Sequence, residues 1–364
     1  MKKLLLASAS FAVFSAAQAQ IKFDPSIDTT WDPQVAVLPA SPLKSQVLFI
    51  GGHDKVQTPP TYGNAAGTAL AKQWHDFIGF TPDNSSNDLG WVSVNHEMVV
   101  RNDSIGDGGG MTVFKIAREP NTDSLIIVTQ TLNDGRTGEF FAVDFAHTTG
   151  ETGMNCGGIT APDGRIWTAE EWFRSGNTSI ADRDTSDFTI GTGTANGQSA
   201  PAGFPGFNGQ TIKKYQNYNY MVEIDPKEAT AIRKQYNWGR QPFEGGAVMP
   251  DNKTVYLGAD NTPGYFTKFV ANTAGDFTSG KTYVYKHDAN GSKWVEIDNT
   301  DLNKMLNFTM EATLGGATMF NRLEWVTEIN GKIYFTETGR SNPGRRWDDF
   351  SAAGARHSTR HSSG

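Results

Sequence analysis

The residues best suited to chemistry lie in one segment, Asn155-Cys156-Gly157-Gly158, followed one strand later by Thr168-Ala169-Glu170-Glu171-Trp172. A thiol and carboxylates at the two ends of a short unit can share a metal ion, whose charge also keeps the thiol ionised. Glycines directly after the cysteine let backbone approach a bound group closely. Three more carboxylates sit among small or aromatic neighbours: Glu244 in Phe243-Glu244-Gly245-Gly246, Asp260 closing Tyr256-Leu257-Gly258-Ala259-Asp260, and Glu324 in Arg322-Leu323-Glu324-Trp325. In an extended segment, residues two apart share a face. Arg322 and Glu324 would then present a guanidinium that clamps an oxyanion beside a carboxylate that holds metal. Each feature also has a plain structural reading: Cys156 as a small buried hydrophobe, Glu170 and Glu171 as a solvated pair, Arg322 and Glu324 as an ion pair across a sheet.

Other chemistries find less support. His96 stands alone in Asn95-His96-Glu97, with no second histidine at metal-binding spacing from it, so a histidine zinc site is disfavoured. The glycine run Gly106-Asp107-Gly108-Gly109-Gly110 lacks the Lys-Ser/Thr of a phosphate-cradling loop and reads as a turn. No Gly-x-Ser-x-Gly elbow is present to anchor a serine hydrolase triad.

The elements that must position these residues are short strands. Aromatic-rich apolar segments recur at Gln46-Ile50, Trp91-Val94, Met111-Ile116, Leu125-Thr129, Ile166-Thr168, Met221-Ile224, Val255-Leu257, Tyr265-Val270, Thr282-Lys286 and Lys332-Thr336. Turn signals such as Asn133-Asp134-Gly135, Pro162-Asp163-Gly164, Pro250-Asp251-Asn252 and Asn330-Gly331 punctuate them. Helical periodicity is confined to Gly67-Phe77 and Thr300-Phe308, and the polar stretch Ser175-Thr211 reads as a long surface loop. The chain is therefore expected to be all-β, with 39 glycines and 16 prolines serving its reversals and nine Trp, ten Tyr and 22 Phe its core. A weak echo links the strands: several end on acids, at Glu97, at Glu170 and Glu171, at Asp260 and at Glu337, at irregular intervals. In a propeller such ends converge on one axis. Polar turns after strands would leave the same trace.

At its N-terminus the chain carries Lys2-Lys3, an apolar run from Leu4 to Phe14, and Ala17-Gln18-Ala19. That is the pattern of a secretory signal cleaved near Ala19, too short to span a bilayer, and it predicts a periplasmic or secreted protein with a single domain from residue 20 to 364. Removing the two lysines takes the formal charge from -7 to -9, which argues against nucleic acid or an anionic membrane as partner. With Cys156 as its one cysteine, the chain can form no internal disulfide.

Taken in order, Asn-His-Glu at 95-97, Asn-Cys-Gly-Gly at 155-158 leading to Glu170-Glu171, Phe-Glu-Gly at 243-245, Tyr-Leu-Gly-Ala-Asp at 256-260 running into Tyr265-Phe266-Thr267-Lys268-Phe269, and Arg-x-Glu at 322-324 resemble the PhoX family of alkaline phosphatases. The likeness covers about residues 90 to 340. It implies a six-bladed β-propeller with an axial site holding iron and calcium, and metal-assisted hydrolysis of phosphate monoesters with no covalent protein nucleophile. Carried over, Cys156 would be a thiolate ligand to iron, Glu170 or Glu171 together with Glu244 and Glu324 carboxylate ligands, Asp260 an outer ligand, and Arg322 the phosphate clamp. Arg322, Cys156 and Glu324 would be the catalytic set of a monomer acting on small phosphate esters.

Two departures from the family stand out. Its members usually carry a twin-arginine signal, whereas Lys2-Lys3 reads as Sec export. The stretch from Arg345 to Gly364 is a polar tail where the family continues into another acidic motif, so the propeller is expected to be incomplete at the C-terminus. Two other functions fit a propeller of this composition. A calcium-dependent lactonase or phosphotriesterase needs glutamate, asparagine and aspartate around one calcium and has no use for Cys156 or Arg322. A non-enzymatic propeller would bind a partner or glycan.

Overall fold

The computed structural model describes residues 45–59, 66–171 apart from 101, 103, 107 and 123, then 184–191 and 203–338. The signal segment and the polar tail fall outside these residues. Among the described residues from Leu48 onward strands predominate, and they pair antiparallel except where Lys55–Thr58 meets Phe140–Ala142.

Four sheets carry the site. In each, two consecutive strands at one edge form a hairpin: β1 (His75–Pro82) with β2 (Gly90–His96), β3 (Asn155–Thr160) with β4 (Ile166–Glu170), β5 (Phe243–Val248) with β6 (Thr254–Ala259), and β7 (Leu323–Ile329) with β8 (Lys332–Glu337). The first sheet continues outward through Met111–Arg118 to Leu125–Val128 and Phe140–Ala142, and reaches Lys55–Thr58 and Gly67–Leu70. The second adds Met221–Asp225 and Thr230–Lys234, and the third adds Thr267–Thr273, Asp276–Asp288 and Gly291–Ile297. Within the described residues the fourth sheet is the hairpin alone. Successive leading strands adjoin, β1 with β3, β3 with β5 and β5 with β7, which is the layout of propeller blades about an axis.

The sheets pack face to face, and the period of two explains how one strand serves two interfaces. In β6, Val255 and Leu257 join Trp167, Met221, Trp238 and Phe269 between the second and third sheets, while Tyr256 turns to Phe266, Leu323 and Ile333 between the third and fourth. Between the first and second sheets lie Phe77, Val113, Phe141, Ile166 and Val222. A strand covered on both faces is buried along its whole length, as β4 is, including its Thr168 and Glu170.

Three local expectations are corrected. Gly67-Phe77 is not helical but holds the strand Gly67–Leu70 and the start of β1, because its apolar residues must lie flat in a sheet edge rather than along one helical face. Gln46-Ile50 forms no strand. The described parts of Ser175-Thr211 are no surface loop: Asp187–Thr189 pairs with Thr211–Lys213, and Ile190, Phe204 and Phe207 are buried with Tyr220, Tyr236, Met305 and Phe308. The second helical expectation appears as two short helices, Leu302–Leu306, capped by the Asp301 side chain, and Phe308–Leu314. Among the described residues no helix is long and apolar enough to cross a membrane.

Candidate active site

Each of the four hairpins carries the same irregularity at the same end. The register slips between His75 and Ile78, between Asn155 and Gly158, between Phe243 and Gly246, and between Leu323 and Val326. A bulge re-aims the side chain it displaces. The first displaced residue is in turn Asp76, Cys156, Glu244 and Glu324. The pairs just before the slips, His75 with His96, Asn155 with Glu170, Phe243 with Ala259 and Leu323 with Glu337, place Glu97, Glu171, Asp260 and Thr338 next on the returning strands. Four bulges and four strand exits thus bring seven potential ligand side chains and one hydroxyl to one end of the sheets.

Close approach of neighbouring hairpins depends on glycine. A Cβ on Gly157 would overlap the Glu244 carbonyl, and one on Gly258 would sit 3.0 Å from the Glu324 carbonyl oxygen. The Asn95 side chain tightens the junction further, donating to the carbonyls of Cys156 at 2.6 Å and Gly157 at 2.7 Å.

At the centre, Cys156 is fully buried, with Sγ 3.2 Å from Glu244 Oε2 and 3.5 Å from the Phe243 carbonyl. Ligand atoms of Cys156, Glu171 and Glu244 all lie within 4.8 Å of one another. Burial, with the Glu244 and Glu171 charges adding to it, pushes the Cys156 thiol well above its ordinary range. Burial likewise raises Glu171 to about 9, helped by Glu244 and by a hydrogen bond to Asp260. Glu244 stands at about 8, chiefly through burial and then through Asp76, Glu324 and Asp260, against a lowering by the Cys156 hydrogen bond. To one side, Asp76 and Glu97 share a hydrogen bond; burial raises both, Glu97 to about 7. So many acids in one place cannot all ionise unless cations accompany them.

Among the described residues, Arg322 brings a guanidinium to this cluster. Arg322 meets Asp260 through two parallel bonds, Nε to Oδ1 and Nη2 to Oδ2, each 2.7 Å, and its Nη2 lies 3.1 Å from Glu324 Oε1. Its side chain is 43 % exposed while that of Asp260 is 4 %. The expectation that Arg322 and Glu324 share the face of an extended segment is corrected: Arg322 precedes β7 with φ 56, and this left-handed turn rather than strand pleat carries its side chain to Glu324. Thr338 Oγ1 also donates to Glu324 Oε1.

Glu170 and Glu171, adjacent in sequence, face different surroundings. Glu170 is wholly buried and pairs with Lys234 at 2.8 Å, while accepting from Thr152 Oγ1, Gly153 N and Tyr220 N. Glu171 is the one grouped with Cys156 and Glu244. Glu337, which the acidic echo singles out, accepts from Asn321 N at 2.6 Å, and the register makes Thr338 the counterpart of Glu97, Glu171 and Asp260. His96 is buried and bonds Thr112 Oγ1 at 2.8 Å. Burial holds its pKa down to about 3. Asp76 escapes sequence reasoning because it sits in a segment that reads as helical; its signal is a lone acid in the apolar run His75-Asp76-Phe77-Ile78.

A family model for the alkaline phosphatase PhoX matches residues 26–361. The chain belongs to the PhoX alkaline phosphatase family. Among solved structures, Pseudomonas fluorescens PhoX in complex with vanadate, a transition state analogue, is similar at 17 % identity and a TM-score of 0.45, over 69 % of this chain and 56 % of that one. The chain thus spans little more than half the length of that PhoX-family structure. No match is found among the curated proteins.

Proposed function

We propose that this PhoX-family chain is an exported phosphomonoesterase that holds calcium and iron among its clustered acids and releases phosphate from small phosphate esters. The observation that carries the reading is the grouping of Cys156, Glu171 and Glu244 within 4.8 Å of one another, in a chain whose family match covers residues 26–361. The donor set fits the implied metals: a thiolate beside carboxylates suits iron, and hard carboxylate oxygens alone suit calcium. Cys156, Glu171 and Glu244 would hold iron, and Asp76, Glu97, Glu324 and Asp260 would complete calcium sites. Glu171 rather than Glu170 is our choice of ligand, because Lys234 and three further donors already occupy Glu170. When bound, such cations supply charge that neutralises phosphoryl oxygens and activates water.

The protein's own groups do the positioning. Asp260 and Glu324 hold Nε and Nη2 of Arg322, and its exposed side chain leaves the Nη1 donors to hold a phosphoryl oxygen. Cys156 and Glu244 yield the proton they share when metal binds, so loading releases protons. An acidic protein can then receive an anionic ester at a locally cationic site.

The test is hydrolysis of a chromogenic phosphate monoester by the purified protein with calcium and iron supplied, alongside elemental analysis. Turnover that disappears in Cys156→Ala, with both metals bound to the parent, is the expected result. Calcium without iron, and activity untouched by the cysteine change, would point instead to the single-calcium lactonase or phosphotriesterase class.

A further inference from the structure

Lys234 and Glu170 form an ion pair with no exposed surface on either side chain. Such pairs lose as much to desolvation as they gain from attraction, and an apolar substitute is often as stable. The fold itself supplies that substitute: the position equivalent to Glu170 in the third hairpin is Ala259, also buried. The ion pair occurs in the sheet that carries Cys156.

The partners show what it ties together. Glu170 Oε1 accepts from Lys234 Nζ at 2.8 Å, from Thr152 Oγ1 at 3.1 Å and from Gly153 N at 3.0 Å, gripping the chain that leads into Cys156. Its Oε2 accepts from Tyr220 N at 3.1 Å. Lys234 also donates to the Asn217 carbonyl, and Asn219 Nδ2 donates to the Glu171 carbonyl at 2.5 Å. Thr152 Oγ1 reaches Asn155, whose amide donates on to Thr168 at 2.9 Å. One buried charge pair therefore joins the segment before Cys156, the strand end that presents Glu171 and the Asn217–Tyr220 stretch behind it.

We propose that Glu170 and Lys234 are a positioning pair that fixes the separation of Cys156 from Glu171, and so sets the affinity of the thiolate–carboxylate metal position. The inference rests on the metal reading above but has a readout that does not need it. Cys156 is the one cysteine of the chain and is fully buried, so its alkylation in metal-free protein reports local opening around it alone.

The experiment compares the parent with Glu170→Gln/Lys234→Met, a neutral pair of similar shape, by thermal unfolding, iodoacetamide alkylation of the metal-free protein and Co2+ titration. The double variant is expected to unfold near the parent's Tm, to be alkylated about 10-fold faster or more, and to bind Co2+ about 10- to 100-fold more weakly, the loss typical of outer-shell changes. Parental alkylation rate and Co2+ affinity in a folded double variant would overturn the proposal. If that variant does not fold, Thr152→Ala and Thr152→Ser decide: the alanine variant should speed alkylation and the serine variant should not, and parental rates in both refute the idea. A parent that binds no Co2+ refutes the metal reading, while the alkylation arm still judges the positioning pair.

Discussion

Stripping metal from the site and raising the pH should destabilise the protein, and supplying metal should abolish the effect. A carboxyl whose folded pKa lies above its unfolded value keeps a proton that the unfolded chain has shed. Stability therefore falls as pH rises from the unfolded pKa toward the folded one. Glu171 at about 9 and Glu244 at about 8, against 4.5 in the unfolded chain, make stability fall most steeply between about pH 5.5 and 7, where both stay protonated only in the fold, and the fall continues more gently to about pH 9. Between pH 7 and 8, Glu171 stays mostly protonated and contributes nearly the full ~1.4 kcal/mol per pH unit, while Glu244, half ionised at the upper end, contributes less. Together they amount to about 2 kcal/mol, a shift of several degrees in Tm for a domain of moderate size. Glu97, raised to about 7, acts in the same direction but is more exposed to solvent. The assay is thermal unfolding of chelator-treated protein at pH 7 and pH 8, with and without iron and calcium added back. The metal-free Tm should drop across this interval, and the restored metals should raise Tm more at pH 8 than at pH 7. A metal-free Tm that is flat or rising, or an equal metal effect at both values, would show that these carboxyls do not share one desolvated site.

Two further outcomes follow from the contacts. Gly157→Ala forces a methyl group into the Glu244 carbonyl, backbone against backbone, and should cost about 3 kcal/mol or more in denaturant unfolding, whereas Gly291→Ala, whose Cβ meets nothing within 4 Å, should cost only the strain of its positive φ. Arg322→Lys keeps the charge but cannot form the two parallel bonds to Asp260, so kcat/KM on a phosphate monoester should fall about 10-fold or more, nearly as far as in Arg322→Ala; full activity in the lysine variant would remove Arg322 from substrate binding.

How far the sequence announced this arrangement depends on whether a feature is local. Hairpins at Asn330-Gly331 and Pro162-Asp163-Gly164 were legible because turn chemistry is written in adjacent residues, and φ values of 53 and 77 at Asn330 and Gly331 match what that dipeptide favours. The strand Gly67–Leu70 and the buried Ile190, Phe204 and Phe207 were not, since pairing and tertiary packing override local polarity. Choosing between Glu170 and Glu171 was beyond any local pattern, because Lys234, which engages Glu170, lies in a strand 64 residues away.

The bulges explain why the acidic echo was visible yet displaced. In a regular ladder the residue after a strand's last pair has no fixed direction, so Glu337 and Glu170 read as well as Thr338 and Glu171. A slip repeated at the head of β1, β3, β5 and β7 supplies the missing rule: it fixes one residue of each leading strand and one of each exit at the shared end, whatever the intervening loop lengths. Spacing in sequence can then drift while geometry is kept. The same rule predicts which positions tolerate change: Ala259 and Glu337, one step before the exits, serve packing and loop anchoring, whereas Asp76 and Glu97 answer to the same geometry as Cys156 and Glu171. Sequence spacing alone offered no reason to rank Asp76 beside the cysteine; the register does.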